Sequence, residues 1–234
     1  RLSWGRAWLV LLSALVLALL WRSRRQVVER VRGLFAEKDH PYTLAALRIV
    51  VFADLMARFD TQRLLWLLDF PRELAFPPLG LGWLLNYTSA YKAWVAVLSP
   101  AAVVLSFLAM IGFCTRVSGL LVVVLGLYAG ALPKLFAATL WWHSLYWFAA
   151  ICAVAPSGHA LSVDALITAW RRPDVALGRA EARENAYALP ARIIWILYGI
   201  MYFFPGWWKL WEAGFDWVFS GNLAGIMHAR WFDY

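Results

Sequence analysis

The sequence predicts an all-α integral membrane protein, a bundle of about six transmembrane helices with short interfacial helices. Three observations predict it. First, 63% of the 234 residues are apolar and only 15% are charged, against roughly 45–50% and about 25% in ordinary soluble domains. A soluble globule of this length has too much surface for its volume to bury that share. Second, the apolar residues form continuous runs rather than alternating ones, which excludes a β-barrel and leaves helices as the spanning element. Third, the chain holds 16 Trp and a net charge of +8. Indoles favour the membrane–water boundary, and basic loops favour anionic headgroups. The same figures exclude a disordered chain and a disulfide-stapled secreted domain.

The first element is the run 7–21, AWLVLLSALVLALLW. No small-residue cleavage site follows it, and WRSRR after it is a stop-transfer signal, so it reads as a signal anchor. Further spans are expected at about 42–56, 93–114, 118–132, 140–155 and 193–208. A helix needs about 20 apolar residues to cross, fewer with anchored ends. Between the second and third spans, Phe70-Pro71 and Phe76-Pro77-Pro78 mark an interfacial loop, since proline ends helices and shapes turns. The tripeptide Asn86-Tyr87-Thr88 matches a glycosylation sequon by form alone. A second polar segment, 157–190, reads as an extramembrane helical connector, with Ser162 capping the helix that begins beside Asp164.

Two parts are expected: 1–38, a signal-anchor helix with a basic cytoplasmic loop, and 39–234, the transmembrane domain. Orientation follows from Lys and Arg in short loops. Arg22, Arg24, Arg25, Arg30, Arg32 and Lys38 follow the first span, whereas only Arg1 and Arg6 precede it. The 22–38 segment is therefore expected inside. Alternation puts Arg116 and the 171–183 connector inside too, and Lys134 and the C-terminus outside. The expected location is the bacterial inner (cytoplasmic) membrane, multi-pass.

Cys114 and Cys152 have neither metal-site spacing nor a disulfide framework and read as packing residues. Ionisable groups at membrane depth are functional candidates, because a charge there is costly. Two stand out: Lys209, in Pro205-Gly206-Trp207-Trp208-Lys209-Leu210-Trp211, and His143, in Trp141-Trp142-His143-Ser144. The expected topology puts both at the outer boundary. A lysine pressed among indoles loses water and moves toward a usable base, and a neutral imidazole can donate to an oxyanion. A snorkelling lysine and a backbone-bonded histidine are the plain alternatives. His159 reads as structural. His40 and His228 have no partner suggested by sequence. No phosphate-cradling loop, nucleophile elbow or metal-ligand cluster appears in the sequence.

Five segments in order resemble the membrane domain of the vitamin K-dependent γ-carboxylase and its bacterial HTTM-type relatives. They are Asp39-His40-Pro41 through Arg48, an arginine within an apolar run; the turn Gly112-Phe113-Cys114-Thr115-Arg116-Val117-Ser118; Trp142-His143-Ser144-Leu145-Tyr146; the connector from His159 through Ser162 and Asp164 to Arg171-Arg172; and Tyr202 through Gly206 and Lys209, then Asp216-Trp217 and Gly221. The resemblance implies Lys209 as the base that deprotonates a hydroquinone and His143 as its helper. Trp142 stands where the family has asparagine, Pro205 where it has a small residue, and Trp208 where a second lysine or small residue is frequent. The relatives continue with further helices, and the carboxylase adds a domain that grips its substrate peptide, so the resemblance implies a chain truncated relative to the family.

These readings together predict a non-catalytic accessory or structural subunit of a larger membrane complex, respiratory or photosynthetic. Its partners would be other integral membrane subunits and lipids, and no nucleic acid. The alternative is a quinol-dependent, carboxylase-like enzyme using Lys209 and His143. Trp207, Trp208 and Trp142 are the candidate contacts for a quinone or lipid, with a bound pigment as a further candidate cofactor. No metal site is expected.

Overall fold

A computed structural model describes residues 4–71, 74, 91–135, 143–214, 221 and 225. Among them are ten α-helices, one 3-10 turn at Ser157–His159 and no strand. In chain order the helices are α1 (Trp4–Arg22), α2 (Arg24–Ala36), α3 (Pro41–Arg58), α4 (Thr61–Leu67), α5 (Tyr91–Ile111), α6 (Thr115–Leu135), α7 (Ser144–Val154), α8 (Val163–Arg171), α9 (Pro173–Glu181) and α10 (Asn185–Ala213).

Among the described residues three stretches are long and apolar enough to cross a membrane, Lys92–Ile111, Thr115–Pro133 and Asn185–Ala213, or four if α1 and α2 are one broken span. They match the spans expected at 93–114, 118–132 and 193–208. The other three expected spans are helical over most of their described residues but fall short of that measure. In the described part of 140–155, α7 is only 11 residues long, and α3 carries Arg48, Asp54 and Arg58 within its 18 residues. Residues 140–142, the sequon and the apolar patch at 79–85 lie outside the described residues.

The segment 22–38, expected as a loop, is mostly helix. Its α2 bends 80° from α1, at Ser23, whose Oγ donates to the Leu19 carbonyl at 2.7 Å. A hydroxyl that bonds back into the preceding turn bends a helix. Val28, Val31 and Phe35 recur at i, i+3 and i+7 and are exposed, beside Arg24, Arg25 and Arg32. That pattern suits a helix lying in a membrane surface.

The chain divides into two compact units, one of 1–36 with 195–234, the other of 37–194. In the larger unit α3, α5, α6 and α7 form a closed ring in which each helix packs on two others. Leu44, Phe52, Leu55, Ala102, Ala109, Val122, Ala149 and Cys152 fill it. Small residues let the backbones approach, as membrane helices require without a hydrophobic drive between them. At Gly126 of α6 an added Cβ would stand 2.3 Å from the Tyr146 ring of α7. The α4 helix closes one end of the ring. Its Leu64 and Leu65 pack on Val95 and Leu132, and Thr61 bonds Ser99 at 2.8 Å.

Two backbone bonds of 3.2 Å link Asp39 and Glu184, and Arg192 pairs with Glu37 at 2.7 Å. These ties fasten the entry of α3 to the start of α10. In the smaller unit, Arg6 of α1 donates to the Trp211 carbonyl at 2.9 Å. It also pairs with Glu212 at 3.4 Å and stands 5.5 Å from the centre of the Trp211 ring, a cation–π distance.

Candidate functional site

Three of the segments that carry the resemblance converge in the larger unit. The turn between α5 and α6 needs Gly112, whose φ is +73° and whose missing Cβ would stand 2.3 Å from Ser162 Cβ. Glycine alone enters that region without steric cost and leaves room for the connector. The connector returns the contact: Asp164 N–H donates to the Gly112 carbonyl at 2.9 Å. The Asp164 carboxylate accepts from Cys114 N, Thr115 N and Thr115 Oγ1 at 2.9, 2.8 and 2.7 Å. It thereby caps the first turn of α6 from a distant element, where orphan N–H groups and the helix dipole favour an anion. Ser162 caps α8 as the sequence predicts, accepting from Ala165 N at 2.9 Å.

Arg48 locks this assembly from beneath. Its side chain is fully buried and donates to the carbonyls of Ser157, Ala160 and Leu161. A buried guanidinium is tolerable where carbonyls replace its water. The sequence marks Arg48 as an arginine within an apolar run and assigns it no partner. The partners are backbone atoms more than 100 residues away, which side-chain identity does not reveal.

Beside this clasp lies an open cleft of about 970 Å³, at the upper end of the range for small-molecule sites. Its walls come from α3 (Tyr42, Ile49), the end of α5 (Met110) and the α8–α9 elbow (Leu166, Leu177), with His159 and Arg179 as its ionisable groups. The His159 Nδ1 is 3.0 Å from the Tyr187 hydroxyl. Burial lowers the His159 pKa below its ordinary value, and the positive charges of Arg179 and Arg116 lower it further, against a smaller opposing effect of Glu184. The imidazole is therefore neutral at neutral pH. No acidic side chain lines the cleft. Beside His159 and Arg179 the lining carries the hydroxyls of Tyr42, Ser162 and Thr168 among mostly apolar side chains. Among the described residues no three His, Cys, Asp or Glu side chains gather as a metal site would require.

The sequence reading missed this cleft. Its signal was the placing of Leu166 and Leu177 on either side of Arg171-Arg172 in the connector. Of the residues the sequence put forward for chemistry, none lines it. Lys209 is exposed on α10 in the smaller unit, and His143 is exposed at the start of α7 in the larger one. Trp207 is half-buried and Trp208 exposed, while Trp142 lies outside the described residues. His40 accepts from Arg183 at 2.8 Å, a partner the sequence did not suggest. Cys114 and Cys152 are free thiols, the first exposed and the second buried. No protein-family model, no curated protein and no solved structure matches this chain.

Proposed function

We propose that this chain is a non-catalytic integral subunit of a larger membrane protein complex, of HTTM-like descent. The observation that supports the role is the face of α10. Trp195, Tyr198 and Tyr202 recur on it at i, i+3 and i+7, all exposed, with Trp195 at 75%. The two phenol hydroxyls bond to each other at 3.2 Å near the middle of a 29-residue apolar helix. A neighbouring membrane helix offers these amphipathic rings both apolar packing and polar groups, which lipid tails do not. Aromatic side chains also supply the large contact areas on which interfaces depend. The lineage is supported by the order of the five segments, three of which meet in the Arg48–Asp164 clasp.

The carboxylase-like alternative rests on Lys209 and His143, which are both exposed. The test is a photo-crosslinking residue at Tyr198 or Tyr202 in the native host, followed by mild detergent extraction. Crosslinking to a second polypeptide is expected, and adducts with lipid alone would overturn the subunit reading. In parallel, Lys209→Ala is expected to leave hydroquinone oxidation by the host membranes and accumulation of the protein unchanged. Loss of a quinol-dependent activity at normal accumulation would restore the enzyme reading.

A further inference from the structure

The cleft in the larger unit has a chemistry that neither the subunit role nor the resemblance explains. Its walls are apolar along Ile49, Met110, Leu166 and Leu177, and they continue onto apolar side chains that face outward. Leu166, Trp170 and Leu177 are all exposed on α8 and α9. Arg179 lines the cleft beside His159. Arg116 and Arg179 both impose a positive potential on that imidazole, and Arg171 and Arg172 follow Trp170 directly. A tryptophan beside paired arginines at the end of an amphipathic helix marks the headgroup level of a membrane.

We propose that this cleft binds one anionic phospholipid, with an acyl chain along the Ile49–Leu166–Leu177 wall and the headgroup phosphate on Arg179. Charge complementarity selects the headgroup, since the lining carries the cationic Arg179 and no carboxylate. The apolar wall selects a lipid over a soluble anion, which has no use for it. A guanidinium presents paired donors that match phosphate oxygens. The neutral His159 can add one further hydrogen bond without competing for the charge.

The test is native mass spectrometry of the full chain purified in mild detergent, with phosphatidylglycerol and phosphatidylcholine of identical acyl chains offered together. Wild type is expected to retain phosphatidylglycerol about fivefold over phosphatidylcholine, the effect of one basic residue at an anionic surface. Arg179→Gln is expected to bring the two lipids to parity. Ala176→Phe, which fills the cleft from α9, is expected to reduce retention of both. Should Ala176→Phe lower the thermal midpoint, the Arg179→Gln comparison decides alone, because that side chain is only part-buried. Equal retention by wild type, an unchanged preference in Arg179→Gln, or displacement of the lipid by inorganic phosphate would each overturn the proposal. The readout is independent of α10, so it separates from failure of the subunit reading.

Discussion

Arg48 concentrates more of the fold in one side chain than any other residue described. Three backbone carbonyls converge on it, and a truncation leaves them buried without a donor. Hydrogen bonds to charged groups are worth about 1.5–3 kcal/mol each, so Arg48→Met is expected to destabilise the larger unit by at least 3 kcal/mol. Thermal unfolding in detergent checks it, and a loss below about 1 kcal/mol would mean that water reaches those carbonyls. His159 offers a pH test nearby. Its folded pKa lies below the ordinary 6.5, so the unfolded chain binds the proton more tightly. The resulting stability is present above pH 6.5 and lost as the pH falls through the lowered folded value. His159→Gln is expected to flatten the dependence of the thermal midpoint between pH 7.5 and 5, and an unaltered slope would assign it to another group.

Among elements, the α6–α7 pair depends on how closely two backbones approach at Gly126. A methyl there meets the Tyr146 ring at 2.3 Å, and overpacking of a tight core costs about 1–3 kcal/mol. Gly126→Ala is expected to lower stability by that amount, and Gly126→Ala with Tyr146→Leu to recover part of it, both read as thermal midpoints. Non-recovery would place the strain in the helix backbone. Helix identity was legible in the sequence because long apolar runs carry their own signal, as at α5, α6 and α10. The helix of 24–36 was not, since its arginines read as loop until Val28, Val31 and Phe35 are set on a 3.6-residue period. The clasp was half legible: Gly112, Ser162 and Asp164 stood out as motif residues. Their joining was hidden, because it runs through backbone atoms and tertiary proximity, which no local pattern encodes. The cleft was hidden for the same reason, its walls coming from four separate helices.

At the scale of the whole molecule, the question is whether α3 crosses the membrane. By composition it is too charged, yet its central charge, Arg48, does not face lipid. It is fully buried among carbonyls of the same unit, and the cost that composition assigns to a lipid-facing arginine does not apply. Eighteen residues extend about 27 Å, close to the roughly 30 Å hydrocarbon thickness, and Asp54 and Arg58 pair with each other at 3.0 Å near one end. A crossing α3 followed by a crossing α5 returns the chain to the side from which it set out. The segment 22–38 and the α5–α6 turn at Cys114 are then on one side. If α3 does not cross, they are on opposite sides. Cys114 is an exposed native thiol and Cys152 a buried one, so the protein carries its own reporter. In intact cells, an impermeant maleimide added outside is expected to label neither native Cys114 nor Arg30→Cys introduced into a Cys114→Ser background. Both should react once the membrane is opened. Labelling of Cys114 alone from outside would remove α3 from the membrane, and labelling of Arg30→Cys alone would do so with the orientation inverted. Labelling of both would keep α3 in place and invert the whole bundle.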